Sequence, residues 1–164
     1  MTTTTSSSAA RAPIEAALPH RDPFLLVDAI VACDERSIDT RWRVPADADW
    51  VRGHYPGRPI TPGVLLCEHA VQSGALLVSH LLGGFKAADG APVLTRLSDA
   101  RFKRMVIPGS EVETRVVLDE RVGPAWFLSA TVRCGGEKAL TLSFAVSASS
   151  ALANAAGTTP EAAD

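Results

Sequence analysis

The stretch Thr61–Gly84, TPGVLLCEHAVQSGALLVSHLLGG, decides the fold. Thr61 suits the cap of a helix and Pro62 its first position, where the missing N–H costs nothing. Gly83-Gly84 ends it, because glycine takes the left-handed conformation that terminates helices without a Cβ penalty. The spacing predicts a helix over Pro62–Leu82, 21 residues and about 31 Å long. At about 100° per residue, Ser79 and Gln72 fall within about 40° of Glu68, and His69, His80 and Ser73 at about 100° to 140°. All the polar side chains therefore share one arc; the rest of the surface is Val, Leu, Ala, Cys and Gly. The length also suits a bilayer span, but Glu68, His69, Gln72 and His80 interrupt the apolar run, and a carboxylate at that depth is costly. A helix apolar over most of its circumference is a core element. The expectation is a buried helix wrapped by a curved sheet, with its polar edge facing a cavity or a partner.

The flanking sequence supplies that sheet. Phe24–Cys33 is rich in large apolar and branched residues and reads as a strand, with Asp34–Ser37 as a turn. Ile38–Val44 alternates and reads as its antiparallel partner. Residues 45–61 form a loop heavy in Pro, Gly, Asp and Trp. Beyond the helix, strands are expected at about 91–105, 110–121, 125–134 and 137–147, punctuated by Pro108-Gly109, Gly123-Pro124 and Gly135-Gly136. A short helical turn, Pro13–Ala17, precedes everything and stops at Pro19. The fold class is α+β, one long helix against an antiparallel sheet.

The chain has 164 residues, enough for one domain with a real core. Apolar residues make up 46% and charged residues 21%, which excludes disordered, collagenous and coiled-coil chains. A net charge of −2 gives no global pull toward nucleic acid or an anionic membrane. Three scattered cysteines, Cys33, Cys67 and Cys134, build neither a disulfide framework nor a zinc finger, and an odd count suits a reducing cytoplasm. The Ser/Thr-rich start lacks the apolar run of a secretory signal. Residues 1–12 read as a flexible leader, 13–147 as the folded domain and 148–164 as a flexible tail rich in Ala, Ser, Thr and Gly.

Two residues stand out chemically. His54 lies in Gly53–Gly63, GHYPGRPITPG, whose prolines and glycines make a stiff loop. Glu68 follows one and a half turns into the helix. A neutral imidazole is a competent base near pH 7. A carboxyl among Leu65, Leu66, Cys67 and Val71 loses part of its hydration, which favours its protonated form. Such a pair divides acid and base roles. The amide of Gly63, in the first helical turn, has no intrahelical acceptor and suits a developing oxyanion. Gln72, one turn beyond Glu68, can satisfy that carboxyl. Spacing alone leaves plain structural roles open for both residues. His69 and His80 have no Asp, Glu or Cys cluster with them, so no metal site is expected. No P-loop, dinucleotide fingerprint or Gly-x-Ser-x-Gly elbow occurs.

Leu18–Asp28, LPHRDPFLLVD, and Gly53–Leu65, GHYPGRPITPGVL, resemble the FabZ-type (3R)-hydroxyacyl-[acyl-carrier-protein] dehydratases. Ala100–Gly109, ARFKRMVIPG, is similar to a later strand and turn of that family. The resemblance implies a hot-dog fold, a curved antiparallel sheet around one long central helix. It implies a homodimer, in some members a trimer of dimers, in which the His of one subunit meets the Glu of the other. On this chain His54 would take the α-proton of a 3-hydroxyacyl thioester. Glu68 of the partner would help the hydroxyl leave as water, Gly63 N–H would hold the thioester carbonyl, and Gln72 would orient Glu68. No cofactor is implied, because the acyl group rides on the phosphopantetheine of an acidic acyl carrier protein. Arg101, Lys103 and Arg104 would dock that partner, with Arg58 a weaker choice. Asp22, Tyr55 and His69 depart from residues usual in the family, which leaves chain length and pathway open. A hot-dog thioesterase would place a carboxylate on the helix without the His-bearing loop. A non-catalytic acyl-binding subunit would not need His54, Gly63, Glu68 and Gln72 together. A hydratase preferring coenzyme A thioesters is a nearby alternative, whose usual motif places an Asp before its His in one short helix-loop segment. The expected setting is cytoplasmic, with neither nucleic acid nor membrane insertion involved.

Overall fold

A computed structural model describes residues 5–84 and 92–148. In chain order the elements are α1 (Thr5–Ala17), β1 (Ala29–Cys33), β2 (Ser37–Arg43), α2 (Asp49–Gly53), α3 (Gly63–Leu81), β3 (Pro92–Phe102), β4 (Glu111–Val122), β5 (Ala125–Cys134) and β6 (Glu137–Ala148). All six strands form one antiparallel sheet in the order β1-β2-β4-β5-β6-β3. β4, β5 and β6 are successive hairpins, as the Gly-Pro and Gly-Gly punctuation predicts. β3 instead crosses to the far edge and pairs with β6.

The sheet curls around α3, which packs against every strand from β2 to β6. Period-two alternation aims one set of side chains inward. Ile38, Thr40 and Trp42 come from β2, Val112, Thr114 and Val116 from β4, and Trp126, Leu128, Ala130 and Val132 from β5; all are buried. α3 is long and apolar enough to cross a membrane by length and composition, yet 72% of that apolar window is buried inside the protein. Gly74 lets helix and sheet meet closely, since a Cβ there would sit 2.6 Å from the Phe144 ring.

Three local expectations change. Of the strand expected over Phe24–Cys33, only Ala29–Cys33 pairs in the sheet. The preceding Phe24–Val27 joins no strand; the Phe24 amide donates to the Arg21 carbonyl, while the Phe24 carbonyl and both backbone groups of Leu26 are met by side chains of α3. Gln72 Oε1 accepts from Leu26 N at 2.8 Å, Gln72 Nε2 donates to the Phe24 carbonyl at 2.9 Å, and His69 Nδ1 donates to the Leu26 carbonyl at 2.7 Å. The helical turn expected at Pro13 is the end of a longer helix beginning at Thr5. Ala9, Ala10 and Ala12 favour helix, and Arg11 ties α1 down by pairing with the carboxylate of Asp28. α2 lies inside the expected loop 45–61; one helical turn is too short to leave a periodic signal. The tail expected over 148–164 lies, after its first residue, outside the described residues.

His69 is wholly enclosed, its ring 5.5 Å from that of Trp42. Burial pushes its pKa down to about 4, against the opposing pull of the Leu26 carbonyl and the Asp28 charge. The native state thus keeps the ring neutral, whereas an unfolded chain takes up a proton near pH 6.5. The resulting stability, about 3 kcal/mol, is complete above pH 6.5 and is lost as pH falls toward 4. Urea unfolding at pH 7 and pH 4.5 should show this loss. His69→Asn, which can still donate to Leu26 but does not titrate, should show a shallower one; equal slopes would exclude His69 as the source.

Candidate active site

His54 follows α2 directly, and its amide donates to the Trp50 carbonyl at 2.9 Å, closing that helix. The next residue, Tyr55, has φ 56°, a left-handed conformation that costs a non-glycine residue about 1 kcal/mol or more. The turn sets the Tyr55 ring edge-on to the His54 ring, centroids 4.9 Å apart. Arg58 N closes the turn onto the Tyr55 carbonyl at 3.1 Å.

His54 faces a cavity of about 760 Å³ whose other walls include Gly63, Leu66, Phe102, Met105 and Val106. Thr61 N donates to the Val106 carbonyl at 2.7 Å and pins the start of α3 beside the chain leaving β3. Gly63 is the first residue of α3, so its amide has no intrahelical acceptor. A Cβ on Gly63 would lie 2.6 Å from Phe102 Cε1; glycine is what lets that ring close over the helix start. The cavity is thus an apolar slot with an imidazole and the positive end of a helix in its wall, an arrangement suited to charge developing on a carbonyl oxygen.

Glu68 lies elsewhere. Gly63 and Leu66, which wall the cavity, project from α3 about 140° and 160° away from Glu68. Within one chain no hydrogen bond or ion pair joins His54 to Glu68, and Glu68 is not among the residues that line the cavity. Its side chain is 25% exposed, open to solvent rather than enclosed by its apolar sequence neighbours. Gln72 Nε2 donates to Glu68 Oε1 at 3.0 Å, as the helical spacing predicts. His20, which sequence reasoning passed over, brings its Nε2 to 3.6 Å from the same oxygen. It stands in the motif Leu18–Asp28, the one sequence signal that points to it.

Of the proposed docking cations, Lys103 and Arg104 border the cavity, and Arg101 does not. All three are exposed. Arg104 pairs with Glu137, while Arg58 borders an adjoining cavity of about 780 Å³ with Tyr55 and Ile107. Among the described residues no three His, Cys, Asp or Glu side chains gather as a metal site would need.

Gln72 carries the heaviest duty. It is fully buried and serves Leu26, Phe24 and Glu68 at once. Gln72→Leu strands the Leu26 amide and the Phe24 carbonyl, at about 1–3 kcal/mol for each group left unsatisfied. Urea unfolding should show a loss of that size, with Gln72→Glu intermediate; an unchanged midpoint would refute the assignment.

Comparison with known proteins places these residues in context. The FabA-like domain family matches residues 18–143. The 3-hydroxyacyl-[acyl-carrier-protein] dehydratase FabZ of Rickettsia massiliae is 38% identical over 128 residues, 77% of this chain and 87% of the relative. Its counterpart from Rickettsia rickettsii is 37% identical with the same coverage. Among solved structures, the dehydratase heterocomplex ApeI:P from Xenorhabdus doucetiae superposes with a TM-score of 0.72 over 89% of this chain and 98% of that one. Its identity is 14%, so the likeness is one of fold.

Proposed function

The chain belongs to the FabZ-type dehydratases of the FabA-like family and has their hot-dog fold, and from that premise we propose that it converts a (3R)-hydroxyacyl thioester on acyl carrier protein to the trans-2-enoyl thioester. The reaction would serve fatty acid or fatty-acid-like biosynthesis in the cytoplasm. The observation that carries the reading is the His54 cavity, in which an imidazole and the free amide of Gly63 border one apolar slot.

In this scheme the acyl chain enters beside Phe102 and Met105. The Gly63 N–H holds the thioester oxygen as negative charge builds on it. His54 takes the α-proton, which the thioester has already acidified. Glu68, in its protonated form, gives its proton to the 3-hydroxyl, and the C–O bond breaks to release water. The proton gained by His54 and that lost by Glu68 balance, so the pair is restored through solvent. Lys103 and Arg104, at the mouth, suit the acidic carrier, with Arg101 beyond them on β3. No cofactor is called for in this scheme. A thioesterase would need a water placed against the carbonyl, whereas His54 here suits proton abstraction.

Glu68 points away from the face of α3 that walls the His54 cavity, which supports a site shared by two copies. Among the described residues β3 is a free edge of the sheet, and Val93, Leu94, Leu97 and Phe102 on it are exposed. An apolar edge strand with unpaired backbone groups calls for a partner. A second copy pairing antiparallel at β3 would continue the sheet, bury these residues, and bring the partner's α3 alongside. Two-fold symmetry then gives two equivalent sites.

The test is a hydration and dehydration assay on short acyl chains attached to acyl carrier protein, followed by enoyl absorbance. His54→Ala and Glu68→Gln should each lose at least about 100-fold in kcat while remaining folded. Mixing the two variants through unfolding and refolding should restore about a quarter of wild-type turnover, because half the dimers are mixed and each has one intact site. No restoration, with mixed dimers formed, would refute the shared site. No turnover by the wild type at any chain length would refute the dehydratase.

A further inference from the structure

Glu68 keeps company with a histidine that the scheme above does not use. His20 Nε2 lies 3.6 Å from Glu68 Oε1, and the His20 ring stacks on Phe24 with centroids 6.2 Å apart. His20 Nδ1 is buried and has no hydrogen-bond partner among the described residues. A proton on Nδ1 would be a stranded donor, which folded proteins avoid. The ring proton therefore belongs on Nε2, facing the carboxyl. Gln72 Nε2 donates to that same oxygen at 3.0 Å. Two donors thus converge on Oε1, and among the described residues none addresses Oε2. Glu68 is the one charged side chain within ion-pair distance of His20 among those residues. The neighbouring Arg21 turns its guanidinium onto the carbonyls of Leu18 and His20 instead, both at 2.7 Å.

We propose that His20 is a positioning residue for Glu68: with Gln72 it grips Oε1 and so leaves the transferable proton on Oε2. This rests on the dehydratase reading. A carboxyl held by one oxygen cannot rotate to exchange its two oxygens, so the acidic proton stays where the leaving hydroxyl arrives. A separation of 3.6 Å is an ion-pair distance, and a small turn of either side chain makes it a hydrogen bond; such contacts tighten when substrate binds. The N-terminal arm would thereby contribute directly to catalysis, through a residue that touches no substrate.

Two variants separate gripping from packing. His20→Phe keeps the stack on Phe24 and removes the donor. His20→Gln supplies an amide N–H of similar reach. Each is first checked for folding and assembly, then assayed beside the wild type. His20→Phe should lose about 10- to 100-fold in kcat with KM changed less than about twofold, and His20→Gln should recover most of that loss. Wild-type kcat in His20→Phe would overturn the proposal, leaving the ring a packing group. So would equal losses in both variants, or a loss confined to KM. A wild type that turns over while His20→Phe is unaffected defeats this proposal alone; a wild type without turnover defeats it together with the dehydratase.

Discussion

The buried amide of Gln72 is the constraint on which the rest of the molecule depends. One side chain donates to Phe24, accepts from Leu26 and donates to Glu68. The first two bonds replace a strand partner that the segment before β1 lacks, and the third fixes a carboxyl. A primary amide has just enough donors and acceptors for this, and a carboxylate or an aliphatic chain has not. His69 adds a second tie to the same segment through the Leu26 carbonyl. The helix therefore holds the N-terminal arm with polar side chains inside an apolar core, where satisfied hydrogen bonds are strong and broken ones expensive.

That arrangement explains what the sequence could and could not show. α3 was legible because a long apolar periodicity with Pro at one end and Gly-Gly at the other admits few readings. The two C-terminal hairpins, β4–β5 and β5–β6, were legible from their turn residues. Phe24–Val27 read as strand because an apolar run looks the same whether its backbone bonds to a neighbouring strand or to side chains 43 to 48 residues away. α2 gave no signal because a single turn has no period. At the site, the Glu68–Gln72 contact was legible from helical spacing, and the nearness of His54 to Gly63 from the short Pro/Gly loop between them. His20 was not, since its proximity to Glu68 exists only once Gln72 and His69 have drawn the arm against the helix.

The two candidate catalytic groups are supported by different physics. His54 stands on a turn stiffened by a left-handed Tyr55 and closed by Arg58. Glu68 stands on a buried helix and is aimed by neighbours rather than by backbone. Helical geometry sends Glu68 away from the wall that His54 faces, and the proposed pairing of two copies would bring the two groups together. The exposed apolar residues of β3 lie on the edge where such a union would form.

The crossing of β3 to the far edge also bears on how the chain is made. Among the described residues β3 has a single strand partner, β6, which is the last element described. Phe102, at the end of β3, is a wall of the His54 cavity. During synthesis from the N-terminus, His54, Gly63, Glu68 and Gln72 all leave the ribosome long before residues 137–148 exist to receive β3. His54 and Gly63 are thus translated early, yet the cavity they border gains its Phe102 wall only once β6 exists to hold β3. Until then an apolar strand waits unpaired on the nascent chain, and the slot beside His54 stays open to water.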